Sequence, residues 1–193
     1  MYKINKKEIE KFNKTGILVI RNFFESKNIQ NLKKKILNYK KKIPNKNIYS
    51  YYEKSLINRR KILIRIENFY NFDKVIKKLI NSKLIKKNLK ILFKTEPILF
   101  KEKINFKSPG CGPDRLHQDS QAGWWKYSKN FISIVIPVQK STKFNSCLEF
   151  DTSGNNSKKL LTKKMITLSL SKLKKPKFEK FELDVGDIVF FNS

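Results

Sequence analysis

The residues best suited to chemistry lie between positions 101 and 125, where a run dominated by Lys, Asn and Ile gives way to a varied segment ending in His117, Asp119, Trp124 and Trp125. His117 is the single histidine in 193 residues, and a carboxylate follows two positions later. On an extended strand, positions i and i+2 leave the same face, so the His117 imidazole and the Asp119 carboxylate can converge on one ion. One imidazole nitrogen and one carboxylate oxygen suit a divalent metal such as Fe(II), for which two histidines and a carboxylate form a facial set with open positions for oxygen chemistry. That set needs a second histidine, and the sequence has none.

The segment's surroundings bear on how these residues are read. A lone histidine is often structural. Here a Gly/Pro-rich loop, 108–113, precedes it and an acid follows it. Trp124 and Trp125 can wall a pocket or simply fill a core, since tryptophan buries a large area wherever it lies. Cys111 with His117 and Asp119 matches no structural zinc spacing, and a buried inert thiol is the plainer reading. Cys111 and Cys147 form no Cys-x-x-Cys pair and no disulfide framework, which suits a reducing compartment. No Gly-x-Ser-x-Gly elbow and no phosphate-binding Gly-rich loop is present, and one histidine excludes His-rich metallohydrolase sites.

A net charge of +28 arises from 44 Lys+Arg against 16 Asp+Glu, and nearly all of the excess is lysine. Readers of bases and phosphates favour the planar fork of arginine, so lysine mixed with Asn and Ile implies general attraction to polyanions and no specific nucleic-acid partner. No apolar run is long enough to cross a bilayer and the N-terminus lacks a signal peptide's apolar segment, so a soluble cytoplasmic protein without a membrane partner is expected.

The elements that must position the site follow from periodicity. Residues 5–13 form an amphipathic helix ending at Thr15-Gly16, and Ile17–Ile20 is a strand. Ser26 caps a helix whose Ile29, Leu32, Ile36 and Leu37 recur at helical spacing. Residues 41–60, around Pro44 and three tyrosines, are expected to be loop, conceivably a substrate lid. Lys61–Ile66 alternates like a strand, and 69–94 is helical with a break at Asn81-Ser82. Strands are expected at 98–100, 103–106, 131–138, 147–150 and 188–191, with a weakly alternating pair across 163–183. Turns are expected at 151–156 and 184–187. This order implies one domain over 1–193: a mainly helical part with one or two strands over 1–96, then a β part over 97–193 of sandwich or jelly-roll type. Because 188–191 has the composition of a buried core strand, a chain cut short at its C-terminus is expected.

With these residues in view, the sequence resembles the phytanoyl-CoA dioxygenase family of Fe(II)/2-oxoglutarate-dependent oxygenases over nearly its full length. The landmarks are Phe12–Glu25, Lys103–Gly110, His117-Gln118-Asp119 with Trp124-Trp125, Asn145–Phe150 and Val185–Phe191, in the family's order. The resemblance implies an α+β fold with N-terminal helices packed on a double-stranded β-helix, a cupin-like jelly roll incomplete at its C-terminus. It implies His117 and Asp119 as metal ligands, Asn105 and Lys107 as contacts to 2-oxoglutarate, and Trp124 and Trp125 at the substrate entrance. Asn105 and Lys107 can equally be ordinary strand residues facing solvent. The implied cofactors are Fe(II), 2-oxoglutarate and O2, and the implied reaction hydroxylates a small molecule while 2-oxoglutarate is decarboxylated to succinate.

Two departures stand out. The family's distal histidine and 2-oxoglutarate-pairing arginine come after the final Phe-Phe strand and are absent here, which implies an inactive chain. At 151–158 the family's Pro-Gly-Ser-His-Lys turn lacks its histidine. The competing expectation is a noncatalytic jelly-roll protein that binds a partner or polyanion through its lysines.

Overall fold

The computed structural model describes residues 2–43, 45–155, 160 and 167–193. The sequence features at Pro44, at 156–158 and at 163–166 lie outside the described residues. Among the described residues, four helices and eight strands follow in the order α1 (Lys6–Thr15), β1 (Ile17–Ile20), α2 (Ser26–Lys41), β2 (Tyr49–Lys54), β3 (Lys61–Glu67), α3 (Lys74–Ile80), α4 (Lys83–Phe93), β4 (Lys103–Asn105), β5 (Ile132–Val135), β6 (Leu148–Asp151), β7 (Phe178–Phe181) and β8 (Ile188–Asn192). The fold is α+β, and every strand pairing among the described residues is antiparallel. The chain divides into two compact units, Met1–Ile4 with Lys27–Pro113, and Asn5–Ser26 with Asp114–Ser193.

In the second unit the organising element is β8. It runs between β1 and β5, with Val189 opposite both Val19 and Val135. Ile188, Val189 and Phe190 are fully buried, as their composition demands, and each contributes roughly 1.5–3 kcal/mol relative to an exposed position. Ile17, Leu183 and Val189 form a core against which Phe150 of β6 and Phe181 of β7 pack. Asn5 opens α1 with a reciprocal capping box to Glu8, and Gly16 closes it in the left-handed conformation. The turn before β8 needs a glycine for a stated reason. Gly186 has φ +105, and a Cβ there would lie 2.7 Å from the Phe24 carbonyl oxygen. Ser26 does not cap α2 as its sequence position suggests. It is the first helical residue, and its hydroxyl donates to the Val185 carbonyl at 3.1 Å.

The first unit holds β2-β3-β4 and the helical residues of α2, α3 and α4. On α2, Ile29, Leu32 and Ile36 are buried as expected, but Leu37 is exposed and Tyr39 completes the buried stripe in its place. Asp73 and Ser82 cap α3 and α4, so the break expected at Asn81-Ser82 is present.

Three expectations are corrected. The stretch 41–60 is not all loop, because Tyr49–Lys54 pairs with β3 across a bulge between Tyr51 and Tyr52. It is an edge strand with exposed tyrosines, and a polar edge carries little apolar alternation to read. Three strands therefore precede residue 97. Residues 98–100 form no strand despite their apolar character, and Ile98 is 91% exposed. Within 163–183 the described residues supply one strand, β7, and a 3₁₀ turn at Leu170–Lys172.

Candidate metal centre

The segment carrying His117 is not the strand expected of it. Residues 111–118 have no regular secondary structure, anchored where Leu168 donates its N–H to the Leu116 carbonyl at 2.7 Å. Gln118 is extended (φ −112°, ψ 127°) and Asp119 begins a 3₁₀ turn, Asp119–Ala122. The extended residue between them has the effect a strand would have, bringing the i and i+2 side chains to one side. Gly123, at φ +91, reverses the chain into a second turn, Trp124–Lys126.

His117 Nε2 stands 3.3 Å from Asp119 Oδ1, with the imidazole 44% exposed and the carboxylate 9% exposed. The other ring nitrogen, Nδ1, is 2.6 Å from the Arg115 carbonyl oxygen. A carbonyl only accepts, so Nδ1 carries the hydrogen, and the neutral ring presents its Nε2 lone pair to the carboxylate. Two acceptors facing each other at that distance need a cation between them, either a proton or a metal ion. The bond to Asp119 raises the His117 pKa above its ordinary value against the opposing effect of burial, and the Arg115 carbonyl adds to the rise.

Asp119 is steadied from β5. Ser133 Oγ donates to Asp119 Oδ2 at 2.9 Å and lies 2.6 Å from Ser193 Oγ. Holding Oδ2 in this way turns Oδ1 toward the imidazole. Sequence reasoning missed Ser133, although a polar residue inside an apolar strand was a usable signal. The donor set is therefore a neutral imidazole nitrogen and a carboxylate oxygen, each oriented by an outer hydrogen bond, as metal ligands commonly are. Among the described residues no third His, Cys, Asp or Glu joins them.

The remaining predicted residues fall as follows. Trp124 is half-buried and meets Phe131 edge-on, with ring centroids 5.3 Å apart. Trp125 is half-buried, with the Lys126 ammonium 6.0 Å from its ring. Asn105, on β4, and Lys107, just beyond it, belong to the first unit and are solvent-exposed. Cys111, also in the first unit, donates its thiol to the Phe106 carbonyl, and burial pushes its pKa up, away from reactive thiolate character. In the second unit the turn after β6 is closed by Asp151, which accepts the N–H groups of Ser153 and Lys177 and the amide of Asn155.

The family model for phytanoyl-CoA dioxygenase matches residues 12–193. The chain belongs to the phytanoyl-CoA dioxygenase family. A 2-aminoethylphosphonate dioxygenase from an uncultured bacterium is 32% identical over 143 residues, which are 74% of this chain and 55% of that protein. A methylphosphonate hydroxylase from Gimesia maris is 33% identical over 96 residues, half of this chain and 36% of that protein. The chain thus matches about half the length, or less, of these relatives.

Among solved structures, EctD from S. alaskensis in its apo form superposes with a TM-score of 0.77 at 12% identity, covering 98% of this chain and 68% of that one. HygX from Streptomyces hygroscopicus, solved with nickel and 2-oxoglutarate bound, gives 0.64 at 11% identity, covering 99% and 78%. At such identities the likeness is one of fold. The chain thus shares the family's sequence pattern and the fold of these solved proteins, of which HygX was solved with nickel and 2-oxoglutarate bound.

Proposed function

We propose that this chain carries the His-x-Asp part of the iron site of a non-haem Fe(II)/2-oxoglutarate-dependent dioxygenase, and that its substrate is a small organophosphonate. The observation that supports the site most directly is the convergence of His117 Nε2 and Asp119 Oδ1 at 3.3 Å, each oriented by its own hydrogen bond. The substrate class is drawn from the two relatives named for phosphonates.

Bound Fe(II) and 2-oxoglutarate supply O2 activation, decarboxylation to succinate and hydroxylation of a substrate C–H bond. The chain's own residues prepare for this. The Arg115 carbonyl fixes the proton on Nδ1 and so keeps Nε2 available as a ligand. Ser133 holds Oδ2 and leaves Oδ1 to the metal. Trp124 and Trp125, directly after the Asp119 turn, are assigned to the substrate entrance, where their rings would exclude water. A facial set requires a second imidazole, and His117 is the sole histidine of these 193 residues. The expected behaviour of this polypeptide alone is therefore weak metal binding without turnover.

Anaerobic titration with Co(II) or Fe(II) tests the site. The 193-residue chain is expected to bind one ion saturably, and His117→Ala and Asp119→Ala are each expected to abolish that binding. Equal affinity in His117→Ala would remove the assignment. Succinate formation from 2-oxoglutarate with 2-aminoethylphosphonate present tests the expected inactivity, which measurable turnover would refute.

Ser133→Ala is a finer probe. Losing the hydroxyl that orients the carboxylate is expected to weaken metal binding by about tenfold, with little change in thermal midpoint. An unchanged metal affinity in this variant would mean that Asp119 needs no such support.

A further inference from the structure

The three-stranded sheet of the first unit has one apolar face and one charged face. Residues directly opposite in an antiparallel ladder share a face. Arg65 is opposite both Tyr51 and Asn105, and Glu67 is opposite both Tyr49 and Lys103. The alternate position, Ile66, is fully buried opposite Ile104. On the charged face one buried carboxylate organises its neighbours. Glu67 accepts the Tyr51 hydroxyl on Oε2 at 3.1 Å, while Arg65 Nε and Lys101 Nζ approach its Oε1 at 3.1 and 3.0 Å. The Arg65 guanidinium also lies over the Tyr51 ring, 4.4 Å from the centroid.

This differs from a scatter of surface lysines. The Glu67 side chain is 6% exposed, whereas those of Arg65 and Lys101 are 38% and 37% exposed, so both cations are half-buried and tethered to the same anion. Arg65 Nε and Glu67 Oε1 are sealed from solvent, and their alignment is too bent for a hydrogen bond, so the attraction between them is ionic. One carboxylate cannot neutralise two cations, and the surplus positive charge sits where water screens it incompletely. Arg65 uses its Nε and one ring face internally. Its two terminal nitrogens, a planar pair of donors suited to an oxyanion, have no partner among the described residues.

We propose that this face is a binding site for a small oxyanion, held by the terminal nitrogens of Arg65 and the ammonium of Lys101, with Glu67 and Tyr51 fixing both cations in place. Its ligand is a small phosphonate. That choice of ligand rests on the organophosphonate reading above, whereas the site itself rests on the geometry of the first unit alone. A phosphonate and a carboxylate share the chemistry required, so the test separates them.

Calorimetric titration of the metal-free chain at fixed ionic strength, with methylphosphonate, inorganic phosphate and 2-oxoglutarate in turn, decides the matter. Saturable one-to-one binding of methylphosphonate is expected. Arg65→Met and Lys101→Met are each expected to weaken it by at least about tenfold, the loss of one charge-assisted contact. Lys78→Met, which removes the same charge from the exposed face of α3, is expected to leave it unchanged. Thermal melts of each variant show that it is folded, and Lys101→Met carries the test if Arg65→Met is not.

Equal weakening by Lys78→Met would reveal general attraction to a basic protein and overturn the site. So would the absence of saturable binding by any of the three anions. Saturation by 2-oxoglutarate alone would overturn the assignment to a phosphonate. Because no metal is present, failure of the iron site leaves these outcomes unaffected.

Discussion

Asp187→Ala is expected to lower the unfolding free energy by about 3 kcal/mol, the cost of orphaning buried donors. Asp187 is 1% exposed. It accepts the N–H groups of Asn22 at 3.0 Å and Asp184 at 2.9 Å and a guanidinium hydrogen from Arg21 at 2.6 Å. The Arg21 side chain is 55% exposed, so water screens its charge and the pair contributes little. The larger share comes from the two backbone donors, which would be left without a partner in the turn that launches β8. Urea unfolding of wild type and variant at neutral pH measures the difference. A loss under about 0.5 kcal/mol, the level of an ordinary surface change, would show that the turn re-satisfies these donors with water.

The same residue gives the protein an acid limb. Burial works to raise the Asp187 pKa, but the N–H of Asp184, the Arg21 guanidinium and the N–H of Asn22 together hold it below the ordinary carboxylate value. A group whose pKa is depressed on folding stabilises the native state above its unfolded pKa. That contribution falls away as pH drops through the lower, folded value. Wild type should therefore lose stability steadily below the ordinary carboxylate range, and Asp187→Asn should show a shallower decline over that window. Parallel acid profiles would assign the decline to other carboxylates.

Asp73→Ala is expected to cost a similar amount, about 3 kcal/mol, through a lost helix cap together with a broken buried network. Asp73 Oδ1 accepts the N–H groups of Val75 and Ile76 at 2.9 and 3.0 Å, which starts α3. Its Oδ2 accepts the Tyr39 hydroxyl and lies 3.3 Å from Lys35 Nζ. Alanine leaves the seven-residue α3 uncapped and the Tyr39 hydroxyl stranded on the buried face of α2. Tyr39→Phe should be much milder, about 1 kcal/mol, because the cap and the lysine contact survive. Burial and the Asp73 carboxylate hold the Tyr39 pKa well above the ordinary phenol value. Ultraviolet titration should therefore show Tyr39 among the late-ionising tyrosines in wild type and one fewer such tyrosine in Asp73→Asn. Equal stability losses for Asp73→Ala and Tyr39→Phe would mean that the cap contributes nothing.

Two helix ends and the central strands were legible because their causes are local, whereas Ser26, expected to cap α2, is its first helical residue. Gly16 and the Asn81-Ser82 break each carry their geometry in residue type. β1 and β8 carry theirs in uninterrupted apolar runs. β2 was not legible, because an edge strand of tyrosines, a serine and charges has no apolar alternation until β3 supplies its partner. Residues 98–100 failed in the opposite way: their composition suits a strand, but no neighbouring strand pairs with them.

By itself, the sequence determined the family and the α+β fold class and set His117 and Asp119 two positions apart, because each is a matter of residue type at a short spacing or of landmarks in order. Only the tertiary structure decided how that pair is held. An extended Gln118, rather than a strand, turns the two side chains together, and Ser133, fourteen residues beyond Asp119, holds the carboxylate. It also decided that Arg65 and Lys101 share the buried carboxylate of Glu67. Such contacts join residues distant in the chain through strand register and burial, and neither has a local signature in the order of amino acids.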